Sequence, residues 1–252
     1  MAGNEAAARL AVLIDADNAS AQHLEQLLVE IAKYGRASVR RAYGDWTSTR
    51  LTSWKAELLA YSIQPIQQFS YTVGKNATDS ALIIDAMDLL HAGNLDGFCL
   101  VSSDSDFTRL AARVREQGLT VYGFGEKKPP KPFVAACDTF VYVENLAKPP
   151  AEAKEPVKAA FTPDAKLDRL LTEAVDVAAG DDGWAHLGAV GSNLSRLASD
   201  FDSRTWGYGK LKDLLAAHPD YQVQSRAAGE GKNPVAMVRR KQVGRGRRGP
   251  AV

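Results

Sequence analysis

Residues 12–18 read VLIDADN, and residues 99–107 read CLVSSDSDF. In the first stretch three aliphatic side chains run directly into Asp15, Ala16, Asp17 and Asn18. In the second an apolar run stops at Ser102 and Ser103 and delivers Asp104 and Asp106. Both have the length and composition of a strand buried on its two faces, as in a parallel sheet. A carboxylate ending such a strand is costly to bury without a partner. If the two strands lie in one parallel sheet, their carboxyl ends share an edge and four carboxylates gather there. Open α/β sheets bind ligands at that edge, because helices cover the faces and not the strand ends.

Outward from these two stretches the pattern alternates. Segments 10–17, 37–45, 63–69, 97–104 and 119–125 read as strands, and 138–145 as a last edge strand or extended piece. Between them, 20–35, 50–62, 78–93 and 107–118 carry helical spacing. Leu24, Leu27, Leu28 and Ile31 share a face, Ser20 stands in the N-cap position, and Gly35 reads as the helix stop. The alternation predicts an α/β domain over residues 9–146, a parallel sheet with helices on both faces.

Residues 147–163, AKPPAEAKEPVKAAFTP, have no apolar period and read as a linker. Residues 164–241 form a second, smaller unit. A helix runs to Gly180, and 183–201 reads as two short helices with a turn at Gly191. A third helix follows in 207–220, then YQVQSR and NPVAMVRRK flank a turn as a hairpin. Three helices and a hairpin make a winged-helix (α+β) arrangement. Residues 242–252 are a basic Gly/Arg-rich tail that reads as disordered.

The 252 residues are 45% hydrophobic and 24% charged, with net charge +1, so bulk charge names no partner. Residues 1–150 hold 15 Lys/Arg against 17 Asp/Glu, and 151–252 hold 16 against 13. Six of those bases lie in RRKQVGRGRR, residues 239–248. Cys99 and Cys137 lack metal-type spacing and read as buried free thiols. The first nine residues have no apolar signal-peptide core, and no apolar run nears the roughly 20 residues of a membrane span. These features predict a cytoplasmic protein without a membrane partner.

Asp15, Asp17, Asp104 and Asp106 stand out, with Asp79 opening the helix of 78–93 as a fifth. Two unit charges about 4 Å apart repel by about 4 kcal/mol at an effective dielectric near 20, so such a group calls for a cation. Oxygen-only ligands suit Mg²⁺ or Mn²⁺, while His23, His91, His186 and His218 form no zinc spacing. Carboxylate-held divalent ions most often direct water at a phosphodiester. Asn18 is placed to orient a carboxylate or to bond a phosphate oxygen, Ser102 and Ser103 to offer donors to phosphate, and Lys75 to pair with phosphate or carboxylate. Blander roles compete: Asp17 as a loop cap, Asp106 and Asp79 as helix N-caps. Asp85 lies about 240° around the helix from Asp79 and Asp88 also points elsewhere, so both read as surface or structural charges.

LIDADN, GKNATDSALIIDAMDLL and CLVSSDSDFTRLAARVREQG, in that order, resemble the NYN domain of the LabA-like group, within the PIN-like nuclease superfamily. The resemblance spans about residues 9–146. It implies a PIN-like fold and a metal-dependent ribonuclease site, with Asp15, Asn18, Asp79, Asp104 and Asp106 at the motif positions. Asp15, Asp79, Asp104 and Asp106 would hold metal, and Asp17, Lys75, Ser102 and Ser103 would contact substrate. Residues 165–241 resemble an OST-HTH (LOTUS) domain, with Gly183-Trp184 opening a helix, Gly191 in the turn and Phe201 before GYGKL. That implies binding of RNA, single-stranded or structured, and in some members of protein. A homo-oligomer or protein partner through this domain stays open.

Tyr208, Lys210 and Lys212, near a helix start, suit stacking on bases and meeting phosphates. Trp184, Phe201, Trp206 and Tyr208 compete for the small core, which claims at least two of them. The leading expectation is a Mg²⁺- or Mn²⁺-dependent endoribonuclease whose second domain holds RNA. Its rival is a non-catalytic RNA-binding regulator with a vestigial acidic site. A haloacid-dehalogenase-type phosphatase fits less well, since Asn18 stands where Gly-Thr would follow the DxD.

Overall fold

Arg9–Asp15 forms β1, and six of its seven residues are buried. The computed structural model describes residues 7–69, 77–127, 130–146, 161, 164–226 and 234–241. β2 (Arg36–Gly44) and β4 (Gly97–Val101) flank β1 in parallel. β3 (Gln64–Gln67) lies outside β2, and β5 (Thr120–Gly125) and β6 (Thr139–Tyr142) extend beyond β4. The order is β3-β2-β1-β4-β5-β6, all parallel. The chain builds outward from β1 to β3, then returns to the other side of β1. The crevice between the carboxyl ends of β1 and β4 is thus the topological switch point.

Side-chain alternation divides the first unit into two cores. Leu10, Val12 and Ile14 pack with Leu24, Leu27 and Ile31 of α1 (Leu24–Ile31) and Trp54 of α2 (Thr52–Ala60). Ala11 and Leu13 pack with Leu82 of α3 (Ala77–His91), Leu110 of α4 (Thr108–Glu116) and Phe133 of α5 (Lys131–Ala136). Each large apolar side chain buried contributes about 1.5–3 kcal/mol. No helix among the described residues is long and apolar enough to cross a membrane.

The structure corrects several local expectations. The segment 20–35 opens with a 3-10 turn at Ala21–His23, capped by Ser20 as expected, and α1 ends at Ile31. Gly35 is not its cap and has no positive φ. A Cβ there would lie 2.3 Å from the Ala8 carbonyl oxygen, so glycine is required by the close approach of two backbones. The helix α5 lies in KPFVAA, which the neighbouring prolines disguise as loop; proline is at home in a first helical turn.

The chain divides into two compact units, 1–152 and 153–252. In the second, α6 (Ala165–Ala178) is capped by Asp164, which accepts from the backbone N–H groups of Lys166 and Leu167. β7 (Ala185–His186) leads into α7 (Leu187–Leu197), and α8 (Leu211–Ala217) precedes the antiparallel pair β8 (Tyr221–Arg226) and β9 (Val235–Arg240). The small sheet has the order β7-β9-β8, giving an α+β fold. There is no turn at Gly191, which sits inside α7. Gly183 and Trp184 open no helix: Gly183 has φ +71° and Trp184 leads into β7. Lys75, most of the linker and the basic tail lie outside the described residues.

Candidate functional site

The carboxyl edge of the first sheet collects the acidic residues from three elements. Asp15 ends β1, Asp79 lies in the first turn of α3, and Asp104 and Asp106 follow β4. Oxygen atoms of Asp79, Asp104 and Asp106 all lie within 4.8 Å of one another. Around a Mg²⁺ or Mn²⁺ at about 2.1 Å, oxygens stand roughly 3 to 4 Å apart. The trio's oxygens lie close to that spacing, and an all-carboxylate set suits these hard ions. The three residues therefore fit a divalent cation.

Asp15 is deeper than the trio. It is fully buried, and its two oxygens accept from the Asn18 backbone N–H (3.3 Å), the Asn18 side-chain amide (2.9 Å) and the Ser102 hydroxyl (2.8 Å). Burial raises its pKa; the bonds from Asn18 and Ser102 oppose the rise, and the charge of Asp17 adds to it. The Ser102 hydroxyl also accepts the Asp104 N–H at 3.1 Å. A chain of hydrogen bonds thus links the buried Asp15 to the backbone of Asp104. Burial, then the charges of Asp15, Asp104, Asp106 and Asp17, push Asp79 up to about 6.

The N-cap of the 3-10 turn at Ser105–Phe107 is Asp104, whose side chain accepts the Asp106 N–H at 3.0 Å. Asp106 is not that cap. Its backbone is fixed and its side chain is exposed at the edge. Asp17 accepts from the Thr78 hydroxyl at 2.9 Å, tying β1's end to α3. Its other oxygen lies 3.9 Å from an Arg50 guanidinium nitrogen. Sequence reasoning passed over Thr78 and Arg50. Arg50 follows the carboxyl end of β2, so the edge rule that found the aspartates would have found it. Ser102 is committed inward to Asp15, and the Ser103 hydroxyl accepts the Glu126 N–H at 2.8 Å.

Asp85 is structural, as its helical direction indicated. Arg41 and the Tyr43 hydroxyl both donate to it, joining β2 to α3, and the Tyr43 phenol is pushed up by burial and by that carboxylate. Cys99 and Cys137 are buried free thiols.

In the second unit Lys210 and Lys212 are exposed and Tyr208 half-buried against the core. Trp184 is buried, while Phe201 and Trp206 pack partly buried beside that core. Trp206 donates its indole N–H to Asp164 at 3.0 Å. Two guanidinium groups, of Arg226 and Arg239, each lie 4.6 Å from the Trp184 ring centre. This arrangement was missed because the partners come from residues far apart in sequence.

A family model for the NYN domain matches residues 9–144, and one for the OST-HTH/LOTUS domain matches residues 160–232. No curated protein matches the chain. Among solved structures, a protein of unknown function from Vibrio parahaemolyticus is 18% identical over 55% of this chain and 94% of its own, with TM-score 0.47. An uncharacterized protein from Nitrosomonas europaea is 31% identical over 38% of this chain and 86% of its own, with TM-score 0.29. A Chromobacterium violaceum protein, residues 175–257, is 30% identical over 34% of this chain and 90% of its own, with TM-score 0.27.

Proposed function

The chain belongs to the NYN domain family and carries an OST-HTH/LOTUS domain after it, and on that premise we infer that it is a Mg²⁺- or Mn²⁺-dependent ribonuclease. The observation that carries this reading is the convergence of Asp79, Asp104 and Asp106 oxygens at the switch point of a parallel sheet. These three residues would hold the cation. Bound there, a divalent ion lowers the pKa of water and offsets charge developing on a phosphoryl oxygen.

The other side chains prepare that site. Asp15 keeps the Ser102 hydroxyl in place, and Ser102 in turn fixes the Asp104 backbone. Asn18 holds Asp15 through two bonds. On this reading Asp15 and Asn18 act as positioning residues, since Asp15 is fully buried and bonded to Asn18 and Ser102. Arg50, 74% exposed beside Asp17, offers a guanidinium to a phosphate on the approaching strand. RNA held by the second unit raises the local concentration of substrate for the first, with exposed Lys210 and Lys212 meeting phosphates.

The test is cleavage of a labelled single-stranded RNA by the full chain with Mn²⁺ or Mg²⁺. Cleavage that EDTA abolishes, and that Asp104→Asn loses while RNA remains bound, supports the reading. Cleavage that survives both overturns it, and RNA binding without any cleavage favours a regulator.

A further inference from the structure

The crest formed by the ends of β1 and β4 has two sides. Alternation along β1 sends Asp15 to the side of α3 and Ile14 to the side of α1. On the Ile14 side lies a cavity of about 260 Å³. Its walls are apolar, from Ile14, Leu27, Trp54, Val101 and Phe124. Its rim is polar, from Asn18, His23, Ser103, Glu126 and Glu144. Asn18 and Ser102 belong to both places: they line the cavity and they hold Asp15.

We propose that this cavity receives one RNA base bearing an exocyclic amine (adenine, cytosine or guanine) from a nucleotide beside the phosphate at the acidic site. The proposal rests on the ribonuclease reading and adds a base subsite to it. A strand crossing the crest would leave its phosphate with the carboxylates and turn its base to the opposite side. The chemistry of the lining selects a base over other ligands. Apolar walls suit the faces of a ring, and polar groups suit its edge. No Lys or Arg lines the cavity among the described residues, and two carboxylates stand at its rim, so a phosphate is repelled. Carboxylates accept from amine N–H groups and offer no donor to a carbonyl. One Glu144 oxygen already accepts the Lys127 backbone N–H at 2.7 Å, leaving the other for a ligand. Uracil presents two carbonyls and a single N–H, and is disfavoured. The volume sits just under the usual range for small-molecule pockets, about 300–1,000 Å³, which suits one base.

Trp54 makes the cavity observable. Its indole N–H donates to the Ala19 carbonyl at 3.3 Å, and its ring forms a wall. The experiment uses the ¹⁵N-labelled, metal-free full chain. The Trp54 indole signal, assigned with Trp54→Phe, is followed while adenosine, cytidine or uridine is added to millimolar concentration. Adenosine and cytidine should move this signal at least tenfold more readily than uridine. Ala19→Phe, which fills the mouth, should abolish the response. Glu144→Gln, an exposed and isosteric change, should narrow the discrimination by admitting a donor for uracil. The same preparations are then given Mn²⁺ and RNA of mixed sequence, and cut sites are mapped. Cuts flanked by A, C or G should outnumber those flanked only by U, and Glu144→Gln should level them. A Trp54 signal that ignores every nucleoside overturns the subsite, even if RNA is cut. A selective Trp54 response in a protein that cuts no RNA upholds the subsite and counts against the nuclease. Equal responses to all three nucleosides overturn the amine selectivity.

Discussion

Carboxylates in the two units are pushed in opposite directions. At the edge of the first sheet, burial raises Asp15 and Asp79, and the charges that raise Asp79 further are all carboxylates. In the second unit, hydrogen bonds from Trp206 to Asp164 and from Arg226 to Asp182 lower both. The surface there is neutralised in place, by Arg226 with Asp182, Arg204 with Asp202 and Lys166 with Asp200. Each of these carboxylates has a cation beside it and asks for nothing further. A cluster of one sign at the end of buried strands is different. It stores repulsion that a bound cation would relieve, which is why the proposed chemistry is assigned to the first unit.

The sharpest way to break this comparison is to remove the one-sign cluster. The double variant Asp104→Asn/Asp106→Asn should lose metal-dependent cleavage by at least about a hundredfold. RNA affinity, measured by fluorescence anisotropy, should stay within a few fold, because the second unit is untouched. A double variant that still cuts at the parent rate would remove the trio from the mechanism.

The next effect is on pH dependence, and its sign differs between the units. Folded Asp79 keeps its proton to about 6, against 3.8 for the ordinary group. Its contribution to stability is full below 3.8 and is lost as pH rises through about 6. The raised Asp15 acts in the same sense. For Asp164 and Asp182 the contribution is present above 3.8 and is lost as pH falls through their lowered pKa values. Hydrogen exchange of the metal-free chain should therefore show protection of β1 and β4 falling between pH 4 and 7, and that of α6 unchanged. Mn²⁺ should restore protection of the first unit at pH 7 and leave α6 as it was. Asp79→Asn should flatten the profile of the first unit. A metal-free first unit that gains protection over this range would contradict the raised Asp79.

Glycine gives a smaller, steric version of the contrast. At Gly35 an added methyl meets the Ala8 carbonyl oxygen at 2.3 Å, and this oxygen already accepts the Arg36 N–H at 2.7 Å. Neither backbone can yield without disturbing the start of β1 and β2. Gly35→Ala should destabilise the first unit by about 1–3 kcal/mol, as overpacking does elsewhere. Loss of protection confined to β1 and β2 would sharpen the assignment, while unchanged stability would mean that the Ala8 backbone yields to the added methyl.

What was legible in the sequence follows from what local pattern encodes. Asp15 at the end of β1 and Asp104 shortly after β4 were readable because an apolar run leading into a carboxylate is a local signal, although β4 itself stops at Val101. The rule that places ligands at the carboxyl edge then drew the two stretches together, while the order of the strands came only with the structure. The depth of Asp15 was not readable, since Asn18 lies three residues away but Ser102 lies 87 residues away. The assignment of Asp106 rather than Asp104 as cap candidate failed because the turn opens two residues earlier, as a 3-10 turn. Helix α5 was hidden by prolines that it uses in its first turn. Trp184 read correctly as a core candidate, but its two arginine neighbours come from β8 and β9 and left no local trace.

Gly191 closes the comparison with the smallest effect and the opposite sign. Sequence pattern placed a turn there, because glycine interrupts the helical spacing of residues 183–201. The structure instead runs α7 straight through it, with no positive φ. An added Cβ would meet only the Leu211 Cδ2, at 3.7 Å, an ordinary van der Waals distance. Nothing steric therefore requires glycine in this helix, and its flexible backbone costs about 0.5–1 kcal/mol relative to alanine. Gly191→Ala should stabilise the second unit by about that amount, seen as slower hydrogen exchange in α7 and unchanged exchange in β1. RNA affinity should be unaltered if α7 serves only to pack. A loss of affinity at gained stability would place Gly191 on the face that RNA approaches, where a close backbone contact would take over the role that sterics leave empty.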